Sequence, residues 1–204
     1  MPANSDYTRA TELASGPHAK RHRAECARLL RRGASDGHAP SQYALGNWYV
    51  HGIGVRRSFT KAVRLFEEAA KAGCSPAQYD LAVSLESGKG GQRNQKLAFK
   101  WYRKAALGGD VDARAEVARC YFFGLGVRRD VAKALNWYRK AAHAGLAEGQ
   151  YALGTMYESG EGTRKNRGLA LHWYRKASAQ GHEDAATAAK DVERQLARSR
   201  GNRA

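Results

Sequence analysis

The chain has 204 residues, 43% of them hydrophobic, with 35 Lys+Arg against 19 Asp+Glu and a formal net charge of +16. That length and apolar fraction exclude a disordered polycation and suffice for a folded core. No run approaches the roughly 18 apolar residues of a membrane span, and Cys26, Cys74 and Cys120 form no C-x-x-C pair, which suits a reducing compartment.

Residues 1–19 show no periodicity and are predicted to be a flexible leader. They contain no apolar signal segment, so a cytoplasmic location is expected. Residues 20–37 read as a half-repeat, with one helix from Ala24 toward Gly37. From there the sequence repeats with a period of 36, over 38–73, 74–109, 110–145 and 146–181. The first helix of a unit runs from about Pro40 to His51, with Tyr43, Leu45, Gly46 and Tyr49 on one buried face. It ends at the first glycine of a recurring pair: Gly52/Gly54, Gly88/Gly90, Gly124/Gly126 and Gly160/Gly162.

Ser58, Asn94, Asp130 and Asn166 share one register and are all good N-caps for a second helix. That helix carries two alanine columns, Ala62, Ala98, Ala134, Ala170 and Ala69, Ala105, Ala141, Ala177. Between them run Trp101, Trp137 and Trp173, each followed by a tyrosine, with Leu65-Phe66 in the first unit. Each unit closes on Gly73, Gly109, Gly145 or Gly181. Residues 182–204 hold a capping helix, about Glu183 to Arg198, and an aperiodic tail expected to be mobile. A lone helix pair of this kind cannot bury its apolar stripe, so the units must stack. The predicted fold is all-α, a right-handed α-solenoid of 36-residue helix-turn-helix repeats.

The runs Gln42-Tyr43-Ala44-Leu45-Gly46, Gly124-Leu125-Gly126-Val127-Arg128-Arg129-Asp130 and Trp137-Tyr138-Arg139-Lys140-Ala141-Ala142 resemble the Sel-1-like repeat family, relatives of the tetratricopeptide repeat. The likeness covers 38–181 directly. It implies a scaffolding or adaptor role in complexes, with no shared chemistry. Some family members staple each unit with a disulfide; this chain lacks the paired cysteines for that.

No catalytic constellation is found. Gly88-Lys89-Gly90-Gly91 follows a helix and lacks the spacing and Lys-Ser/Thr of a phosphate loop. His18, His22 and Cys26 have ligand-like spacing, but His22 falls in the N-cap column and Cys26 in a buried alanine column. Neither an enzyme nor a bound cofactor or metal is expected.

Columns that hold their type across units carry the fold, and columns that vary are free for recognition. Five aromatics fall outside aromatic or apolar columns: Tyr7, Trp48, Phe59, Phe122 and Phe123. First helices line the concave groove of helical-hairpin solenoids, which makes Trp48 and Phe123 the expected anchors. The candidate groove set is Asn47, Trp48, His51, Arg119, Phe122, Phe123 and Met156. Every unit carries net positive charge, and basic residues recur in the inter-helix loops: Arg56, Arg57, Arg93, Arg128, Arg129, Arg164 and Lys165. They flank helix N-termini, where the dipole disfavours cations, so helix stability does not ask for them and a basic edge is expected. The function expected is a non-catalytic, monomeric scaffold that binds a protein or peptide, favouring acidic partners. The alternative is unspecific binding of nucleic acid or another polyanion along the loop arginines.

Overall fold

The computed structural model describes residues 2–16 and 18–201; Met1 and Pro17 of the expected leader, and the expected tail past 201, lie outside the described residues. Among the described residues there are eleven α-helices and no strand. The chain divides into two compact units, Met1–Asp110 and Val111–Ala204.

Unit 1 contains α1 (Pro2–Ser15), α2 (Arg23–Ser35), α3 (Ala39–His51), α4 (Phe59–Lys71), α5 (Ser75–Ser87) and α6 (Gln95–Leu107). Unit 2 contains α7 (Val111–Phe123), α8 (Val131–His143), α9 (Ala147–Ser159), α10 (Arg167–Ser178) and α11 (Glu183–Gly201). Within each unit every helix packs on the next in sequence. The first helices start at 39, 75, 111 and 147, so the period of 36 carries over without slippage.

Local chemistry accounts for the boundaries. The side chains of Ser58, Asn94, Asp130 and Asn166 accept the backbone N–H of Lys61, Leu97, Lys133 and Leu169. The N–H of each cap residue reaches back to the first helix, to the carbonyls of Tyr49, Leu85, Tyr121 and Tyr157 at 2.7–2.9 Å, and so closes the loop. Gly52 ends α3 in the left-handed conformation, at φ 72°, which a side chain would penalise. Its companion Gly54 has a packing duty: a Cβ there would stand 2.7 Å from the carbonyl oxygen of Arg23, at the start of the preceding second helix.

The core repeats with the sequence. In unit 1 Ala62, Phe66, Ala69 and Ala70 of α4 bury against Ala77 and Leu81 of α5. In unit 2 Leu135, Tyr138 and Ala142 of α8 bury against Leu153 and Met156 of α9 and Trp173 of α10. Gln42, Gln78 and Gln150 are buried, and each donates from Nε2 to a carbonyl eight residues earlier: Ala34, Ala70 and Ala142. The helix-end lysines have a second use beyond the dipole. Lys104, Lys140 and Lys176 lie over the rings of Trp101, Trp137 and Trp173, at 4.3, 4.3 and 5.0 Å.

The N-terminal expectation is corrected. Most of the segment read as an aperiodic leader is helix α1, which packs on α2. Tyr7 falls 36 residues before Tyr43 and Gly16 the same distance before Gly52, so α1 is a degenerate first helix in register. Its buried Ala10 shares a core cluster with Cys26, Leu30 and Leu45. The Cys26 thiol donates to the Ala10 carbonyl at 3.5 Å, and burial pushes that thiol's pKa up. The cost of ordering a helix with so few apolar residues is met by this tertiary contact rather than by its own pattern.

Candidate functional site

The variable columns of the first helices meet in pairs, and they do so once inside each unit. In unit 2, α7 and α9 enclose a groove of about 260 Å³. Phe122 and Phe123 of α7 form one wall, Tyr151 and Thr155 of α9 the other, and Met156 with Tyr138 the floor. The two phenylalanine rings meet edge-on, centroids 4.9 Å apart. Phe123 is 63% exposed, a large apolar side chain facing water at the mouth. Phe122 packs inward on the α8–α9 core. Burial in that floor pushes the Tyr138 hydroxyl up to about 12, so it stays a neutral hydrogen-bonding group. Arg119, on the rim, is held by Glu116 at 2.7 Å.

In unit 1, α3 and α5 enclose a second groove of about 220 Å³, lined in part by Asn47, His51, Asp80 and Ser84. The register matches: Asn47 and His51 stand 72 residues before Arg119 and Phe123, and Asp80 and Ser84 the same distance before Ala152 and Met156. Two grooves at one repeat position therefore have different chemistry: the first sets Asp80, Ser84 and Lys89 beside Phe59 and Phe66, where the second is closed by Phe122, Phe123 and Tyr151.

Six of the seven expected groove residues line these two grooves: Asn47 and His51 in the first, Arg119, Phe122, Phe123 and Met156 in the second. Met156 is 2% exposed and belongs to the core cluster, so it shapes the floor rather than offering a free side chain. Trp48 departs from expectation. It lines neither groove and packs into the cluster of Cys26, Leu30 and Leu45 with Tyr7 and Leu13 of α1. Its register is that of the buried Cys120 and Met156, so this side of a first helix faces the preceding helix pair. Asp80, Tyr138 and Tyr151 are groove residues the sequence reading passed over. The signal for Asp80 was its column, which runs Ala44, Asp80, Glu116, Ala152.

All seven loop residues of the expected basic edge are exposed. Three of them lie in unit 1 and four in unit 2. The expectation that they have no stabilising duty needs correction at two positions. Arg57 lies over the Phe59 ring at 4.6 Å. Arg129 donates from Nε to the Phe122 carbonyl at 2.9 Å and pairs with Glu161 at 2.5 Å. Arg128, with Arg129, lines an open polar hollow beside Asp130 and Lys133.

Among the described residues, no group of three or more His, Cys, Asp or Glu is arranged to hold a metal ion. No helix there is long and apolar enough to cross a membrane.

Comparison with known proteins places this arrangement. The Sel1 repeat family matches the chain four times, over residues 39–74, 75–110, 111–146 and 147–182. Among solved structures, a protective antigen present in uropathogenic Escherichia coli strains, displaying an SLR fold, is 31% identical with a TM-score of 0.89. That alignment covers 93% of this chain and 41% of the other, so this chain spans less than half of that relative's length. A Sel1 repeat protein from Oxalobacter formigenes is 28% identical with a TM-score of 0.82, over 90% of this chain and 75% of its own. An immunity protein from Pseudomonas aeruginosa, Pa5087, is 25% identical with a TM-score of 0.55, over 90% and 68%. No curated protein matches the sequence. The fold class is the all-α repeat solenoid.

Proposed function

Since the chain belongs to the Sel1 repeat family, whose members are generally non-catalytic scaffolds for protein interactions, we propose that it binds a partner polypeptide in the α7–α9 groove. The observation that carries this reading is Phe123: a phenylalanine 63% exposed at the mouth of an aromatic groove. Exposed aromatics beside a well-packed hollow are the usual energetic centres of interfaces. The partner presents an apolar side chain to Phe122, Phe123 and Tyr151. Acidic residues flanking it meet Arg128, Arg164 and Lys165, exposed on the loops that follow α7 and α9. Charge there contributes selectivity and association rate more than affinity.

A photo-crosslinking amino acid placed at Phe123, and as control at the exposed Leu169 on α10, tests this in the native cell. The expected result is a discrete protein captured only from position 123, with the crosslink in a segment that is apolar and flanked by Asp or Glu. Equal capture from both positions, or capture of nucleic acid from the loop side alone, would overturn it.

A further inference from the structure

The α3–α5 groove of unit 1 has a chemistry that the family likeness does not account for. Where α9 places Ala152 and Met156, α5 places Asp80 and Ser84. The carboxylate of Asp80 is half-buried on the groove wall, close enough to the Tyr43 hydroxyl for that group to favour its charged form. Among the described residues it forms no salt bridge. The rings of Phe59 and Phe66 line the same hollow. Burial and the charge of Asp110 push the Asp80 carboxyl above the usual carboxylate range, while Tyr43 and His51 act the other way. Folding therefore brings an acid to a place that penalises its charge, on a chain with net charge +16.

Lys89 also lines this groove but is exposed and free to turn to water, which leaves a half-buried carboxylate among aromatic side chains, a set of groups that recognises a planar cation. The carboxylate accepts its paired N–H donors, and the rings take its face. The overall positive field repels cations, so such a ligand is held by this local set or not at all. We propose that the α3–α5 groove is a binding site for the guanidinium group of an arginine side chain carried by a partner peptide, with Asp80 as its counter-ion. The site lies wholly in unit 1 and is independent of the Phe123 groove.

The test uses the full chain, isotopically labelled, titrated with N-acetyl-arginine methylamide and followed through backbone amide NMR shifts. The neutral counterpart, N-acetyl-citrulline methylamide, has the same shape without the charge. The expected result is a saturating shift confined to α3 and α5, at least fivefold weaker for citrulline and at least fivefold weaker in Asp80→Asn. Ser84→Met, which puts into the groove the residue found at this register in α9, blocks the shift while leaving Asp80 in place; it also serves if Asp80→Asn does not fold. Equal response to citrulline, an undiminished response in both variants, or shifts scattered over the surface would each overturn the site. None of these outcomes bears on crosslinking at Phe123.

Discussion

The carboxylate of Asp6, on α1, accepts both donors of the Arg32 guanidinium, on α2. Asp6 is 4% exposed, so the pair fastens α1 to α2 through a residue that cannot be left unpartnered. The arginine holds the Asp6 carboxyl below its usual range, chiefly through these hydrogen bonds. A folded pKa below the unfolded one means the stabilisation is complete above the ordinary value of about 3.9 and is lost as pH falls through the lowered one. Native-state hydrogen exchange should therefore find α1 protected at pH 5 and opening only below about pH 3.9. In Asp6→Asn the amides of α1 should exchange faster than the parent's at pH 5, with the difference closing as pH falls through the lowered pKa, while those of α4 and α5 stay unchanged.

Trp48 and Phe123 should separate cleanly in thermal melts. Trp48→Ala removes a half-buried ring from the α1–α3 cluster and should cost about 2–3 kcal/mol, somewhat less than a fully buried tryptophan. Met156→Ala opens the floor of the α7–α9 groove and should cost about 2–5 kcal/mol. Phe123→Ala should change stability by no more than about 0.5 kcal/mol, while losing partner capture. A large loss of stability in Phe123→Ala would place that ring in the core.

Removing a cap tests the local logic of the repeat. Asn166→Ala deletes the acceptor for the Leu169 N–H at 2.9 Å and should cost about 1 kcal/mol. For a chain of this size that is a fall of about 2–4 °C in melting temperature. Asn166→Asp should hold the melting temperature near the parent value, since aspartate caps as well as asparagine.

Asp80 gives a stability change of the opposite sign. Its folded pKa is raised, so at neutral pH its charge opposes folding, and the penalty fades as pH falls through the raised value. Asp80→Asn should therefore melt higher than the parent at pH 7, with the gap closing toward pH 4.

The repeat period, both helices of each unit, the four caps and the glycine pair were legible in the sequence. The caps and the helix-ending glycines depend on groups within about ten residues of one another. Four copies of the pattern supply the comparison that a single sequence otherwise lacks. The α7–α9 groove was legible in part, because Arg119, Phe122 and Phe123 sit in columns that tolerate change. The α3–α5 groove was half-seen: Asn47 and His51 were marked, while Asp80 was passed over.

By itself, then, the sequence determined a helical repeat scaffold of the Sel1 type, with two alternating kinds of helix and variable columns on the first. Tertiary structure decided which variable side chains stay open. Trp48 and Phe123 look alike as aromatics in first-helix positions, yet one is covered and the other faces water. The difference is set by their columns: Trp48 shares its register with the buried Cys120 and Met156 and packs on the cluster of Cys26, Leu30 and Leu45, while Phe123 stands three positions further on, at the register of the exposed His51. Burial is a property of pairs of elements, and a column read along one chain cannot say what lies across from it.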